Sequence, residues 1–144
     1  MKKLLAGILL LSVFALAACS GDVYEADTPE EAVQSLQKDF ITEESDLQLT
    51  SISETEQLGI FKGVISGEPE VFVTYVQFVD GNWRVIEAVA VGHEDTEDLQ
   101  PAKGEYIEGE IIDAVDDSTE VKKDGDKYVF NLTTSDRAVT VRLK

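Results

Sequence analysis

The chain contains few of the residues that form cross-links or carry nucleophilic chemistry. Its 144 residues include one cysteine (Cys19), one histidine (His93) and one tryptophan (Trp83). A single cysteine leaves no pair for a structural disulfide within the chain, so the fold depends on core packing. The sequence also lacks a Gly-x-Ser-x-Gly elbow or another recognisable nucleophile motif. We therefore predict that the protein is not an enzyme and that His93 is an exposed loop residue.

Basic residues are scarce as well. Lys and Arg together number 12 against 29 Asp and Glu, and the formal net charge is −17 at pH 7. A surface of this charge is repelled by nucleic-acid phosphates and by anionic lipid headgroups. The charge balance argues against nucleic-acid binding and against electrostatic adhesion to a membrane.

One long apolar run, residues 4–18, follows the two lysines near the start of the chain. Its 15 residues are fewer than the roughly 20 that a membrane-spanning helix needs. A basic start, an apolar middle and small residues before a polar segment are typical of an export signal. The run ends in Leu16-Ala17-Ala18-Cys19, which closely resembles the lipobox of bacterial lipoproteins.

The resemblance implies a definite processing chemistry. In that family a dedicated peptidase cuts before the cysteine, whose sulfur receives a diacylglyceryl group. Carried over, residues 1–18 are the signal peptide, and cleavage between Ala18 and Cys19 leaves Cys19 as the lipidated first residue. A lipidated Cys19 also leaves no thiol for a zinc site made of His and Cys. Because the removed segment carries two lysines and no acid, the formal charge falls from −17 to −19.

The lipobox also implies a location. The protein is expected at the cell membrane, lipid-anchored on the extracytoplasmic face. Ser20 follows the cysteine and is compatible with the outer membrane of a Gram-negative cell or the outer leaflet of a Gram-positive one.

After a polar tether, residues 19–27, a helix is predicted to begin at Thr28. The Thr28 side chain can cap the free amides, Pro29 suits the first helical position, and Glu31 completes a capping box. Apolar residues then recur at helical spacing, which predicts an amphipathic helix of about a dozen residues. These residues are Ala32, Val33, Leu36 and Phe40.

Alternating and β-branched segments predict an antiparallel sheet after the helix. Its two strongest strands, residues 71–79 and 83–91, are joined by a hairpin signal at Asp80-Gly81-Asn82. Both strands are apolar on both faces, which predicts a position in the middle of the sheet.

The predicted fold class is α+β, with one N-terminal amphipathic helix packed on an antiparallel sheet and further antiparallel β-strands after it. We assign residues 28–92 to the helix and sheet, 93–103 to an acidic linker and 104–144 to a β-rich C-terminal region. The C-terminal strands are expected to pack against the first sheet or to extend it. A separate small β-subdomain is the alternative.

The capped helix, the antiparallel sheet and the hairpin Asp-Gly-Asn-Trp-Arg-Val-Ile at residues 80–86 resemble small NTF2-like and cystatin-like modules of bacterial lipoproteins. The resemblance covers residues 28–92 and implies a curled sheet beside the helix. On such a sheet an aromatic group can line a pocket for an apolar or mixed ligand. The alternative is that these residues form the core between helix and sheet. The group comprises Phe72, Tyr75, Phe78 and Trp83.

Two acidic clusters, within residues 94–98 and 113–120, are candidate cation sites. Neither matches the D-x-[DN]-x-[DN]-G pattern of a calcium loop. We therefore predict solvated turn acids, no metal site and no cofactor. The carboxylates are those of Glu94, Asp95, Glu97, Asp98, Asp113, Asp116, Asp117 and Glu120.

These observations predict a lipid-anchored, extracytoplasmic binding or interaction module of the bacterial cell envelope. Its partners are the membrane, through the diacylglyceryl anchor on Cys19, and an unidentified envelope protein or small ligand. Two alternatives stay open: a small hydrolase or isomerase that uses carboxylates in a sheet pocket, and an acidic cation-binding protein.

Overall fold

A computed structural model of the chain describes residues 24–40, 47–65, 67–92, 101–114, 120–132 and 136–144. These residues form one short helix and two five-stranded antiparallel sheets, so the fold is α+β in composition and largely β. In chain order the elements are β1 (Glu25–Ala26), α1 (Pro29–Phe40), β2 (Gln48–Ser53), β3 (Glu56–Ile65), β4 (Glu68–Val79), β5 (Asn82–Gly92), β6 (Ala102–Lys103), β7 (Ile107–Asp113), β8 (Lys122–Asp124), β9 (Lys127–Asn131) and β10 (Arg137–Leu143).

The helix begins where the capping signal predicted. The backbone N–H of Glu31 donates to Thr28 Oγ1 at 3.2 Å, and Ala32 N–H donates to the Thr28 carbonyl at 3.1 Å. Glu30 and Glu31 lie in the first turn, where carboxylates interact favourably with the positive end of the helix dipole. The predicted start of the helix is confirmed.

The first sheet has the strand order β1-β5-β4-β3-β2. β4 is its central strand, and six consecutive residues of it, 71–76, are buried. The β4–β5 turn places Asp80 at φ 54° and Gly81 at φ 86°, two successive left-handed conformations that match the twist of a tight hairpin. The hairpin predicted at this position is confirmed.

The first strand lies inside the segment that the sequence assigned to a polar tether. Glu25 pairs with Arg84 and Ala26 pairs with Trp83. Tyr24 extends the contact, because its carbonyl accepts a hydrogen bond from Val85 N–H at 2.9 Å. A two-residue strand is too short to show the alternation by which strands are recognised. The body of the protein therefore begins earlier in the chain than the sequence indicated.

The C-terminal strands form a second sheet with the order β6-β7-β10-β9-β8 and do not extend the first. Apolar residues of the two sheets share one buried cluster, which places the sheets face to face. Its members are Leu58, Ile60, Val71, Val73, Tyr75 and Val91 from the first sheet and Ile107, Ile111, Tyr128, Phe130, Leu132, Val139 and Val141 from the C-terminal region.

A second buried cluster joins side chains of α1 to side chains of the first sheet. Within it the rings of Phe61 and Phe72 stack with centroids 4.9 Å apart. The cluster contains Ala32, Val33, Leu36, Phe61, Phe72, Val76 and Ala88. In the part of the chain that the structure describes, no helix is both long and apolar enough to cross a membrane.

Candidate functional site

The structure divides the four predicted pocket aromatics among three places. Phe72 is fully buried in the cluster that contains the helix residues, whereas Tyr75 belongs to the cluster between the two sheets. Phe78 and Trp83 lie opposite each other at the hairpin end of β4 and β5. Because residues 72 and 75 are an odd number apart on one strand, their side chains point to opposite faces. The four rings do not line a single pocket.

Phe78 and Trp83 form an aromatic pair at the end of the first sheet. Their ring centroids are 5.6 Å apart with an interplanar angle of 60°, a tilted arrangement that aromatic pairs favour. Trp83 is half-buried and packs against the helix-side cluster, while Phe78 is 42% exposed. The Phe78 N–H donates to the Thr55 carbonyl at 2.8 Å, which fixes this end of β4 beside the β2–β3 turn.

Three exposed carboxylates lie at the same end of the first sheet as this pair. Asp80 lies in the β4–β5 turn, and Glu54 precedes the Thr55 that holds Phe78. Asp27 directly follows Ala26, the register partner of Trp83. We call Phe78, Trp83, Asp27, Glu54 and Asp80 the acidic aromatic patch. The nearby Arg84 is occupied, because its guanidinium forms a 3.0 Å ion pair with Glu25.

Tyr75 lies in a polar cluster at the border between the sheets. Its hydroxyl donates to Glu56 Oε2, and Gln77 Nε2 lies 3.4 Å from the same hydroxyl. The Tyr106 ring lies alongside, with centroids 5.9 Å apart. Burial, followed by the hydrogen bond and the negative charge of Glu56, raises the pKa of Tyr75 to about 12. The phenol is therefore neutral at physiological pH and acts here as a hydrogen-bond donor.

Glu87 connects β5 to the turn that enters β7. It is the register partner of Tyr75, and its Oε2 accepts a hydrogen bond from the Tyr106 N–H at 2.7 Å. A Cβ added to Gly104 would lie 1.3 Å from Glu87 Oε1, so the carboxylate occupies the space that a side chain at position 104 would fill. Within the described residues Oε1 is buried without a hydrogen-bond partner. The carboxylate thus holds the backbone of the second sheet against the first.

Glu56, Glu87 and Tyr106 were not predicted to lie at a site. Each is brought to Tyr75 by strand register or by the contact between sheets, over separations of 12 to 31 residues. Such contacts have no periodic signature in one sequence. The hairpin signal at Asp80-Gly81-Asn82 predicted the turn that joins the strands of Phe78 and Trp83, and the register of the two strands places these residues opposite each other.

Several predicted sites lie outside the described residues. They include Ala18 and Cys19 of the lipobox, together with His93, Glu94, Asp95, Glu97 and Asp98 of the linker predicted at 93–103. Of the later acidic cluster, Asp113 and Glu120 are described, and Asp113 forms an ion pair with Arg137 at 3.2 Å. Among the residues that the structure describes, no three His, Cys, Asp or Glu side chains are grouped so as to hold a metal ion.

Comparison with known proteins finds no matching family model, no similar curated protein and no similar solved structure.

Proposed function

We propose that this protein is a lipid-anchored, extracytoplasmic binding module of the bacterial cell envelope. The observation that carries the proposal is the abrupt change at Leu16-Ala17-Ala18-Cys19 from an apolar run to a polar, strongly acidic chain. A solitary thiol cannot form a disulfide within an exported chain. In a lipobox the same thiol has a role, because its sulfur is the site of lipid attachment.

The geometry of the body supports a short connection to the anchor. Tyr24 already contacts β5 through its carbonyl, and only five residue steps separate it from Cys19. A fully extended chain covers at most about 3.6 Å per residue, so the body lies within about 18 Å of the lipidated sulfur. This is about two screening lengths at physiological ionic strength. A body of this charge gains no attraction from anionic headgroups at that distance, so the acyl chains must supply the membrane affinity.

The proposal includes a layered body in which α1 packs on the outer face of the first sheet and the second sheet covers the inner face. The two buried clusters on opposite faces of β4 support this arrangement. With both faces covered, the surface left for a partner lies at the ends and edges of the sheets. The acidic aromatic patch is such an end, and we assign binding to it.

The anchor is tested by growth with labelled palmitate, followed by fractionation of wild type and Cys19→Ser. Label is expected on the wild-type protein alone, and detergent should be needed to extract that protein. The Cys19→Ser body should still fold, because every described element starts at residue 25 or later.

A matched control is Ser20→Ala, which changes the neighbouring residue and leaves the thiol in place. This variant should incorporate label like the wild type. Label on Cys19→Ser, or unlabelled wild-type protein in the medium, would show that the lipobox assignment is wrong.

A further inference from the structure

The acidic aromatic patch places partly exposed aromatic rings and exposed carboxylates at one end of the first sheet. Phe78 and Trp83 present aromatic surface to water at the end of the sheet, where Phe78 is 42% exposed. Asp27, Glu54 and Asp80 are exposed at the same end of the sheet, and none of the three pairs with a base among the described residues. Apolar rings bordered by one sign of charge fit an interaction surface better than a solvated turn.

The patch is also held in a fixed shape. Asp80 lies in a tight hairpin with two left-handed residues, and Asp27 is next to the strand pair Ala26–Trp83. Glu54 precedes the Thr55 carbonyl that accepts the Phe78 N–H. A rigid surface loses little conformational entropy when a partner docks, so more of the contact energy appears as affinity.

The charges discriminate among the surfaces that could cover the rings. An anionic bilayer would bring lipid phosphates against Asp27, Glu54 and Asp80, which is a like-charge contact. A second copy docked patch to patch about a two-fold axis would bring the same three acids of each copy close together, which is again a like-charge contact. A basic polypeptide segment meets the carboxylates with opposite charge, and its cations also interact favourably with aromatic faces.

We propose that the acidic aromatic patch is the docking surface for an arginine-rich polypeptide segment of an envelope partner. The guanidinium groups lie on the exposed faces of Phe78 and Trp83 and donate hydrogen bonds to the carboxylates of Asp27, Glu54 and Asp80. This assignment rests on the proposed role as a binding module and names the chemistry of its partner. It does not depend on lipidation of Cys19.

The single tryptophan makes the docking step directly observable. Trp83 is the only indole in the chain, so intrinsic tryptophan emission reports on the patch alone. Full-length protein in non-ionic detergent is titrated at low salt with a synthetic peptide of alternating arginine and glycine. The same peptide with citrulline at each arginine position is the neutral control. The arginine peptide should shift or quench Trp83 emission saturably, and added salt should weaken the effect.

Two variants test which groups bind the peptide. The triple variant Asp27→Asn, Glu54→Gln, Asp80→Asn should weaken binding about tenfold or more. A matched triple, Glu68→Gln, Glu105→Gln, Asp124→Asn, removes the same charge at exposed positions outside the patch and should change affinity by less than about threefold. Phe78→Ser should weaken binding, whereas Val64→Ser, at another exposed apolar residue, should not.

Three outcomes would overturn the proposal: no change in Trp83 emission, equal binding of the citrulline peptide, or equal weakening by both triple variants. The last would show that net charge alone attracts the peptide. Should the Phe78→Ser protein fail to fold, the two charge triples still decide the question, since all six substitutions are at exposed positions. Palmitate labelling is unaffected by any of these results, so failure of the docking surface and failure of the anchor are distinguishable.

Discussion

The pKa of the Tyr75 phenol is raised to about 12. This phenol is buried between the sheets and donates to Glu56, and both features oppose loss of the proton. A buried tyrosine beside a carboxylate can be read as a catalytic pair. The direction of the shift argues for a structural role, because a pKa of about 12 keeps the phenol protonated wherever the protein works.

The raised pKa makes stability depend on alkaline pH. The folded pKa of about 12 lies above the ordinary value of 10.0, so the stabilising contribution is complete below about pH 10. It is lost as pH rises from about 10 to about 12, because the unfolded chain releases this proton first. Urea unfolding of wild type and Tyr75→Phe across that range should show a shallower fall in the free energy of unfolding for the variant.

Tyr128→Phe is the matched control, since it removes another buried phenol and leaves Tyr75 in place. Between about pH 10 and 12, the free energy of unfolding of Tyr128→Phe should fall more steeply with pH than that of Tyr75→Phe. Identical slopes for wild type and Tyr75→Phe would mean that the phenol titrates equally in the folded and unfolded chains.

The start of α1 and the β4–β5 hairpin were predictable from the sequence, because residues close in the chain determine both. The capping residues of α1 act within one turn, and the β4–β5 hairpin is set by the left-handed preference of Asp80 and Gly81. β1 and β6 were not predicted, because two residues each cannot display alternation. Their strand character comes from partners distant in sequence, Trp83–Arg84 for β1 and Glu108–Gly109 for β6.

The candidate site was predictable only in part for a related reason. Alternation along β4 places Phe72 and Phe78 on one face and Tyr75 on the other, and this alone separates the proposed pocket group. The alternation of apolar and polar residues in the C-terminal strands does not determine whether these strands extend the first sheet or cover it. A half-buried strand shows which residues face a core, but not which surface completes that core.

The contact between Gly104 and Glu87 gives a prediction at the scale of elements, because it joins the turn before β7 to β5. In Gly104→Ala the new Cβ would lie 1.3 Å from Glu87 Oε1. The flexible carboxylate should move aside and lose its 2.7 Å hydrogen bond from the Tyr106 N–H. We expect a loss of about 1–2 kcal/mol in the free energy of unfolding, measured with urea.

A double-mutant cycle isolates this contact. In a Glu87→Ala background the hydrogen bond is already absent and the space is open, so Gly104→Ala should cost much less than in the wild type. Equal costs in the two backgrounds would show that the carboxylate does not occupy this position in solution.

On the scale of the whole molecule, two sheets share one apolar interior and stabilise each other. Neither cluster is large, and about 120 residues without a disulfide need a common core to remain folded. The sheets are in close contact where β7 crosses β4 and β5. There a Cβ added to Gly109 would lie 2.6 Å from Val91 Cγ1 and 3.2 Å from Val73 Cγ2. Glycine is required at this point by the proximity of the other sheet.

If the two sheets unfold together, a destabilising substitution at this crossing must lower the stability of both sheets. Gly109→Ala should lower the free energy of unfolding by about 1–3 kcal/mol, because the added methyl group forces the packed valines apart. Trp83 emission reports on the first sheet and far-ultraviolet circular dichroism on the whole chain. Both should show one transition at the same lowered urea midpoint.

Adding Val91→Ala should restore part of the lost stability, since it vacates the space that the new methyl group of Gly109→Ala needs. Glu110→Ala, at the next position of β7 on the opposite face, should leave the midpoint nearly unchanged. A Trp83 transition that stays at the wild-type midpoint in Gly109→Ala, while the dichroism splits into two steps, would mean that the C-terminal strands form an independent subdomain.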